Sequence, residues 1–184
     1  MRAILTSIRP EHLVNILNGD KPFELRSVCP NIELPCIALL YCCKSSKYLL
    51  DWDYQNGKKT WFLWDKRKHK YPLKHEQLDN GKVLAKCVMT ECIDWHNYSW
   101  QEVCRLGCVS DQQLRDYAKN KKNIYLWHLE NIEIFDKPKD ISNFYTTHLD
   151  KTIPELFDNS IQLPNGVWVK PLTRAPQSWC YVEV

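Results

Sequence analysis

The sequence has no apolar run of transmembrane length, and its opening Met-Arg-Ala-Ile-Leu-Thr-Ser-Ile-Arg-Pro is broken by charge within nine residues. Such a start reads as a first strand and not as a signal peptide, so a cytoplasmic protein without a membrane partner is expected. No pair of C-x2-C knuckles and no H-E-x-x-H helix is present, which argues against the common zinc sites; no metal and no cofactor is expected. The nine cysteines are therefore read as reduced thiols, most of them buried. Strong charge of one sign is also missing. A net charge of +3 is too mild for a dedicated duplex-DNA binder, which must neutralise several phosphates at once. Low-complexity tracts and internal repeats are absent.

What is present is an ordinary globular composition, 44% hydrophobic and 26% charged, with 8 Trp and 9 Tyr. Such rings pack cores, and they also offer flat faces for bases or sugars. At this length one domain spanning 1–184 is expected. Residues 3–9 alternate as a strand. Pro10 then opens a helix with Leu13, Ile16 and Leu17 on its apolar face, and Gly19 stops it. A short strand over 22–27 follows, with Phe23 and Leu25 on one face and Glu24 and Arg26 on the other. Continuous apolar residues at 37–43 predict a buried strand. Long strands are predicted at 82–93 and 124–135, and a closing strand at 178–184.

Between them, Ser99-x-x-Glu102 and Ser110-x-x-Gln113 fit capping boxes for two short helices near 100–106 and 111–119. On the second long strand Trp127 and His128 alternate, so only one faces the core; a lone strand histidine is more often structural than a general base. The stretch 145–170 is weakly patterned apart from a turn at Pro164-Asn165-Gly166. Together these elements predict an α+β domain, a small mixed β-barrel with a few short flanking helices. A charged β-hairpin turning at Asn56-Gly57 is inserted at about 45–80.

That insertion mixes Lys58, Lys59, Lys66, Arg67, Lys68, His69, Lys70 and Lys74 with Trp61, Phe62, Trp64 and Tyr71. Charges that track phosphate among rings that stack on bases are what a single-strand binder uses, so the basic residues are candidate nucleic-acid contacts. The same pattern also fits a solvated hairpin whose aromatic side packs on the barrel. Asp51 and Asp53 lie among these lysines and read as solvated turn positions; Lys119, Lys121 and Lys122 form a smaller patch of the same kind.

The second candidate site is the run Gly19-Asp20-Lys21-Pro22-Phe23-Glu24-Leu25-Arg26. Glu24 and Arg26, two apart on a strand, share a face roughly 6–7 Å apart, and Lys21 stands at the entry bend. Two cations beside one carboxylate keep it ionised and leave positive charge over for an anion such as phosphate. A purely structural ion-pair network at the helix–strand junction is equally consistent with the spacing.

The pattern Gly-x-Lys-x-x-Glu-x-Arg resembles the hallmark of the ASCH family, within the PUA-like superfamily. The resemblance extends to Leu-Thr-Ser-Ile-Arg-Pro before the motif, Gly81-Lys82 after it, Asp136-Lys137-Pro138 and the tail Ala175–Tyr181, which looks like the end of phage and bacterial members. It covers roughly 3–43, 81–144 and 172–184. It implies a PUA-like barrel whose cleft binds RNA or a nucleotide-like small molecule through Lys21, Glu24 and Arg26, with Gln177 and Ser178 offering hydrogen bonds to a base edge. It also admits an enzyme, either a ribonuclease or a nucleoside-conjugate hydrolase with Lys21 as its catalytic residue. A third reading is a phage-type regulator that sequesters a nucleotide signal or a host protein. One branch of the family hydrolyses an acetylated cytidine with a Lys, a Thr and a Glu. Here Glu24 stands at the Thr position, and the acid expected near Gly107 is missing, so that reaction does not carry over.

Overall fold

The layering follows from strand β1 (Arg2–Ile8), which is buried on both faces from Ala3 onward. A strand with two apolar faces belongs in the middle of a covered sheet. In the computed structural model, which describes residues 1–68, 80–147, 160–164, 166 and 168–184, that is where it lies. β1 runs parallel to β3 (Cys36–Cys42) and antiparallel to β11 (Trp179–Glu183). Helix α1 (Pro10–Asn18) follows β1, with Pro10 at its first turn and Leu13, Ile16 and Leu17 buried. Gly19 takes φ +86° and ends the helix; the Asn15 carbonyl then accepts from the amides of both Asp20 and Lys21. This cap sets the direction of entry into β2 (Phe23–Arg26).

Two long strands, β6 (Val83–Asp94) and β7 (Tyr125–Lys139), form the broadest pairing, and β2 adds to the edge of β7. Between β6 and β7 lie α2 (Trp100–Leu106) and α3 (Asp111–Ala118), each opened by the capping box expected from Ser99/Glu102 and Ser110/Gln113. The weakly patterned stretch holds three short strands, β8 (Tyr145–Thr147), β9 (Ile161–Gln162) and β10 (Trp168–Pro171). They are too short for periodicity to reveal. The main sheet therefore has nine described strands, ordered β2-β7-β6-β3-β1-β11-β8-β10-β9. With three α-helices among the described residues the fold is α+β, as expected. The expected closed barrel is not found: no described ladder joins the two edges. The strands β7, β6 and β3 stand between β2 and β1 in this order, yet the sheet curls enough for side chains of β2 to reach β1.

The predicted hairpin is a separate ribbon of β4 (Tyr48–Gln55) and β5 (Lys58–Asp65), turning at Asn56 (φ 53°) and Gly57 (φ 76°). Two asparagine side chains bracket it. Asn18, at the end of α1, donates to the Trp61 carbonyl and accepts from the Trp61 amide, both at 2.9 Å. Asn80 does the same on β4, donating to the Tyr48 carbonyl and accepting from the Leu50 amide, again at 2.9 Å. Each carboxamide pairs with the backbone of the ribbon as a neighbouring strand residue would. The expectation of reduced thiols is corrected at one pair. Cys29 and Cys92 are disulfide-bonded across 63 positions of sequence, with Cα atoms 6.0 Å apart. The indole of Trp127 donates to the Val28 carbonyl, and Cys92 lies opposite Trp127 in the β6–β7 register. Tertiary register thus brings together two cysteines that their spacing does not relate. Cys36, Cys42 and Cys87 are buried and outside any disulfide, and burial pushes the Cys87 thiol up to about 12.

Candidate functional site

Lys21, Glu24 and Arg26 converge at the junction of α1 and β2 and are nearly enclosed, at 3%, 5% and 8% exposure. The Lys21 ammonium lies 2.9 Å from Glu24 Oε2, and Arg26 Nη2 lies 3.1 Å from Glu24 Oε1. Burial alone would raise the Glu24 carboxyl, but Lys21 and Arg26 outweigh it and hold the group below its ordinary value. The cluster carries two cations against one carboxylate, a surplus of positive charge in a desolvated place.

Arg26 is the hub. Its Nη2 donates to the Ser7 carbonyl at 2.8 Å, and its Nη1 donates to Ser178 Oγ at 3.1 Å and to the Ser178 carbonyl at 3.3 Å. Its guanidinium also lies 5.9 Å from the ring of the buried Trp127. Its Nε is buried without a hydrogen-bond partner. The bend carrying Lys21 is fastened from the other side, where the Cys108 thiol contacts the Asp20 carbonyl at 3.1 Å. Gly107 packs there against β2: a Cβ at this position would meet Leu25 Cδ1 at 2.9 Å and the Val103 carbonyl at 3.0 Å.

Three further residues border the cluster that the sequence did not single out. His12 on α1 has its pKa lowered by burial and by Lys21, against the pull of Glu24. Tyr117 on α3 contacts the Leu25 carbonyl at 3.4 Å; burial raises its phenol while Arg26 opposes. The Cys43 thiol is raised by burial, with Arg26 and Arg9 pulling the other way. Ser7, by contrast, had a legible signal. Thr6 and Ser7 are the polar residues of a strand that is otherwise apolar from Ala3 onward, and both are buried; Ser7 Oγ donates to the Pro176 carbonyl at 2.7 Å.

Both tail residues are exposed; Ser178 joins the cluster through Arg26, and Gln177 stands beside it. On β7 it is Trp127 that faces the core, fully buried. His128 lies on the other face, stacked on Phe23 at 4.5 Å with Nδ1 2.9 Å from Thr90 Oγ1.

The basic ribbon is divided between internal contacts and solvent. Arg67 pairs with Asp65 at 3.1 Å, Lys66 donates to the Ser45 carbonyl at 2.6 Å, and Lys59 lies 4.0 Å above Trp52 and 4.7 Å from Trp61. Lys58 and Lys68 are exposed. His69, Lys70, Tyr71 and Lys74 lie outside the described residues. Trp61 is buried against α1, so its packing reading holds, whereas Tyr54 beside the turn is 66% exposed.

No family model matches this chain, and no curated protein does. Among solved structures it is similar to the ASCH protein of Zymomonas mobilis, at 17% identity over 76% of this chain and 73% of that one, with a TM-score of 0.49. A single-substitution variant of that protein aligns at 15% identity over 76% of each chain, with a TM-score of 0.48. A second variant aligns at 15% over 75% of this chain and 73% of that one, with a TM-score of 0.47.

Proposed function

We propose that this chain is an ASCH-type, PUA-like binding module, with the curled sheet in the place of the barrel. Its Lys21–Glu24–Arg26 cluster positions an anionic group of RNA or of a nucleotide-like ligand. The observation that supports the reading is the charge count: one carboxylate, Glu24, is shared between two buried cations, Lys21 and Arg26, and Arg26 Nε is buried without a hydrogen-bond partner. An anion at this place completes the charge balance that the protein leaves open. Ser178 and the exposed Gln177 border the approach, and the ribbon with Lys58, Lys68 and Tyr54 offers a longer track for a strand. The amine of Lys21 is held against Glu24, an arrangement that serves positioning better than nucleophilic attack.

The test is incubation with a pool of RNA and modified nucleosides, with and without divalent metal, read by mass spectrometry. Binding without turnover, weakened in Lys21→Ala and Arg26→Ala, is the expected result. Turnover abolished by Lys21→Ala would replace the module with a hydrolase. Variants that stay folded and bind like the parent would make the cluster purely structural.

A further inference from the structure

The turn that follows α3 carries Lys119, Lys121 and Lys122, and one aromatic ring joins it to the cluster. Tyr117, near the end of α3, contacts the Leu25 carbonyl at 3.4 Å, on the strand that presents Glu24 and Arg26. Those two charges act on its phenol in opposite senses. The ring is half-buried, and the Lys121 ammonium lies 5.8 Å from its centre. The Lys121 amide donates to the Ala118 carbonyl at 2.9 Å, which folds the chain back beside the helix. Contacts therefore run from β2 through Tyr117 to Lys121.

Between Ser99 and Asn123 the cations outnumber the carboxylates, five to three. Each carboxylate has an attachment of its own. Glu102 closes the capping box of α2, Asp111 pairs with Arg115 at 2.7 Å, and Asp116 accepts from Gln112 at 3.0 Å. Lys119, Lys121 and Lys122 are exposed and make no ion pair among the described residues. The carbonyl end of α3 favours a cation in its last turn, but Lys121 and Lys122 lie beyond it. Unpaired cations around a partly open ring suit a single nucleic-acid strand, whose phosphates meet the charges while a base stacks on the ring. The long stem of Lys121 lets its ammonium leave the ring for a phosphate as a base arrives.

We propose that Tyr117 and the turn bearing Lys119, Lys121 and Lys122 extend the Lys21–Arg26 site into a track for single-stranded RNA. A base stacks on Tyr117, and the phosphates that follow it meet the three lysines. The proposal rests on the reading of the Lys21–Glu24–Arg26 cluster as an anion site.

Anisotropy titrations of the full chain with a uridine dinucleotide and a uridine octanucleotide test it, with thermal unfolding of every variant alongside. The octanucleotide should bind the tighter of the two. Lys119→Gln, Lys121→Gln and Lys122→Gln together should lower its slope of log affinity against log salt by about two, and leave the dinucleotide unaffected. Tyr117→Ala should weaken octanucleotide binding about ten-fold, while Tyr117→Phe, which keeps the ring, should match the parent. An octanucleotide that binds no tighter than the dinucleotide would overturn the track and leave the cluster's reading standing. So would a triple variant that loses thermal stability yet keeps the parent's salt slope, since the lysines would then serve the helix end alone. Poly-glutamate binding as tightly as the octanucleotide, with no loss in Tyr117→Ala, would also overturn it in favour of an acidic peptide. Binding of neither RNA by the folded parent would overturn the track and the cluster's reading together.

Discussion

Arg26 Nη2 donates to the Ser7 carbonyl at 2.8 Å, joining the edge strand β2 to the central strand β1 where no backbone ladder does so. The same guanidinium holds Glu24 and Ser178, so one side chain spans the gap between β2, β1 and the approach to β11. The cluster is thus a seam of the fold as well as a candidate site. Stability and binding measured on the same variants distinguish these roles.

Removing one partner of the seam should be costly. Glu24→Gln leaves Lys21 and Arg26 as buried like charges and should destabilise by about 3–5 kcal/mol in urea unfolding. Arg26→Lys keeps the charge but loses the fork that reaches Ser7, Glu24 and Ser178 together, and should cost about 2 kcal/mol. A near-neutral Glu24→Gln would mean that the carboxylate is not needed to balance the two cations.

The pH dependence has a definite sign. Glu24 is held below its ordinary 4.5, so its contribution is fully present above that value and is lost as pH falls through the folded-state pKa. His12 is held below its ordinary 6.5, so the folded state favours the neutral ring. Its contribution is likewise present above 6.5 and lost on acidification. Stability should decline in two stages as pH drops below 6.5 and then below 4.5. His12→Gln should flatten the first stage and Glu24→Gln the second, as followed by thermal unfolding across the range. A curve rising on acidification would contradict both.

The ribbon's salt response should follow which cations are free. In RNA binding, Lys58→Gln combined with Lys68→Gln should lower the slope of log affinity against log salt by roughly one to two. Arg67→Gln should change it by less, since Arg67 is already paired with Asp65. Equal effects from all three would show that the pairing opens when RNA binds.

The asparagine brackets are testable without any ligand. Asn18→Ala and Asn80→Ala each remove two hydrogen bonds at 2.9 Å and should cost about 1–2 kcal/mol. Hydrogen exchange should quicken locally, at the Trp61 amide in the first variant and at the Leu50 amide in the second. Unchanged protection at both amides would show that the ribbon is held by its apolar face alone.

The sequence by itself determined the local elements whose signals act over a few residues. These were the Pro10–Gly19 helix, the Asn56-Gly57 turn, both capping boxes, and the face shared by Glu24 and Arg26. Each follows from backbone preference or side-chain parity, which need no distant partner. Only the tertiary structure decided that Arg26 on this face meets Ser7 and Ser178, that Cys29 meets Cys92, and that Asn18 and Asn80 clasp the ribbon. It also decided that the sheet curls with no closing ladder among the described residues. Those contacts join residues far apart in the chain, and their geometry depends on the twist and register of the whole sheet, which no local pattern encodes.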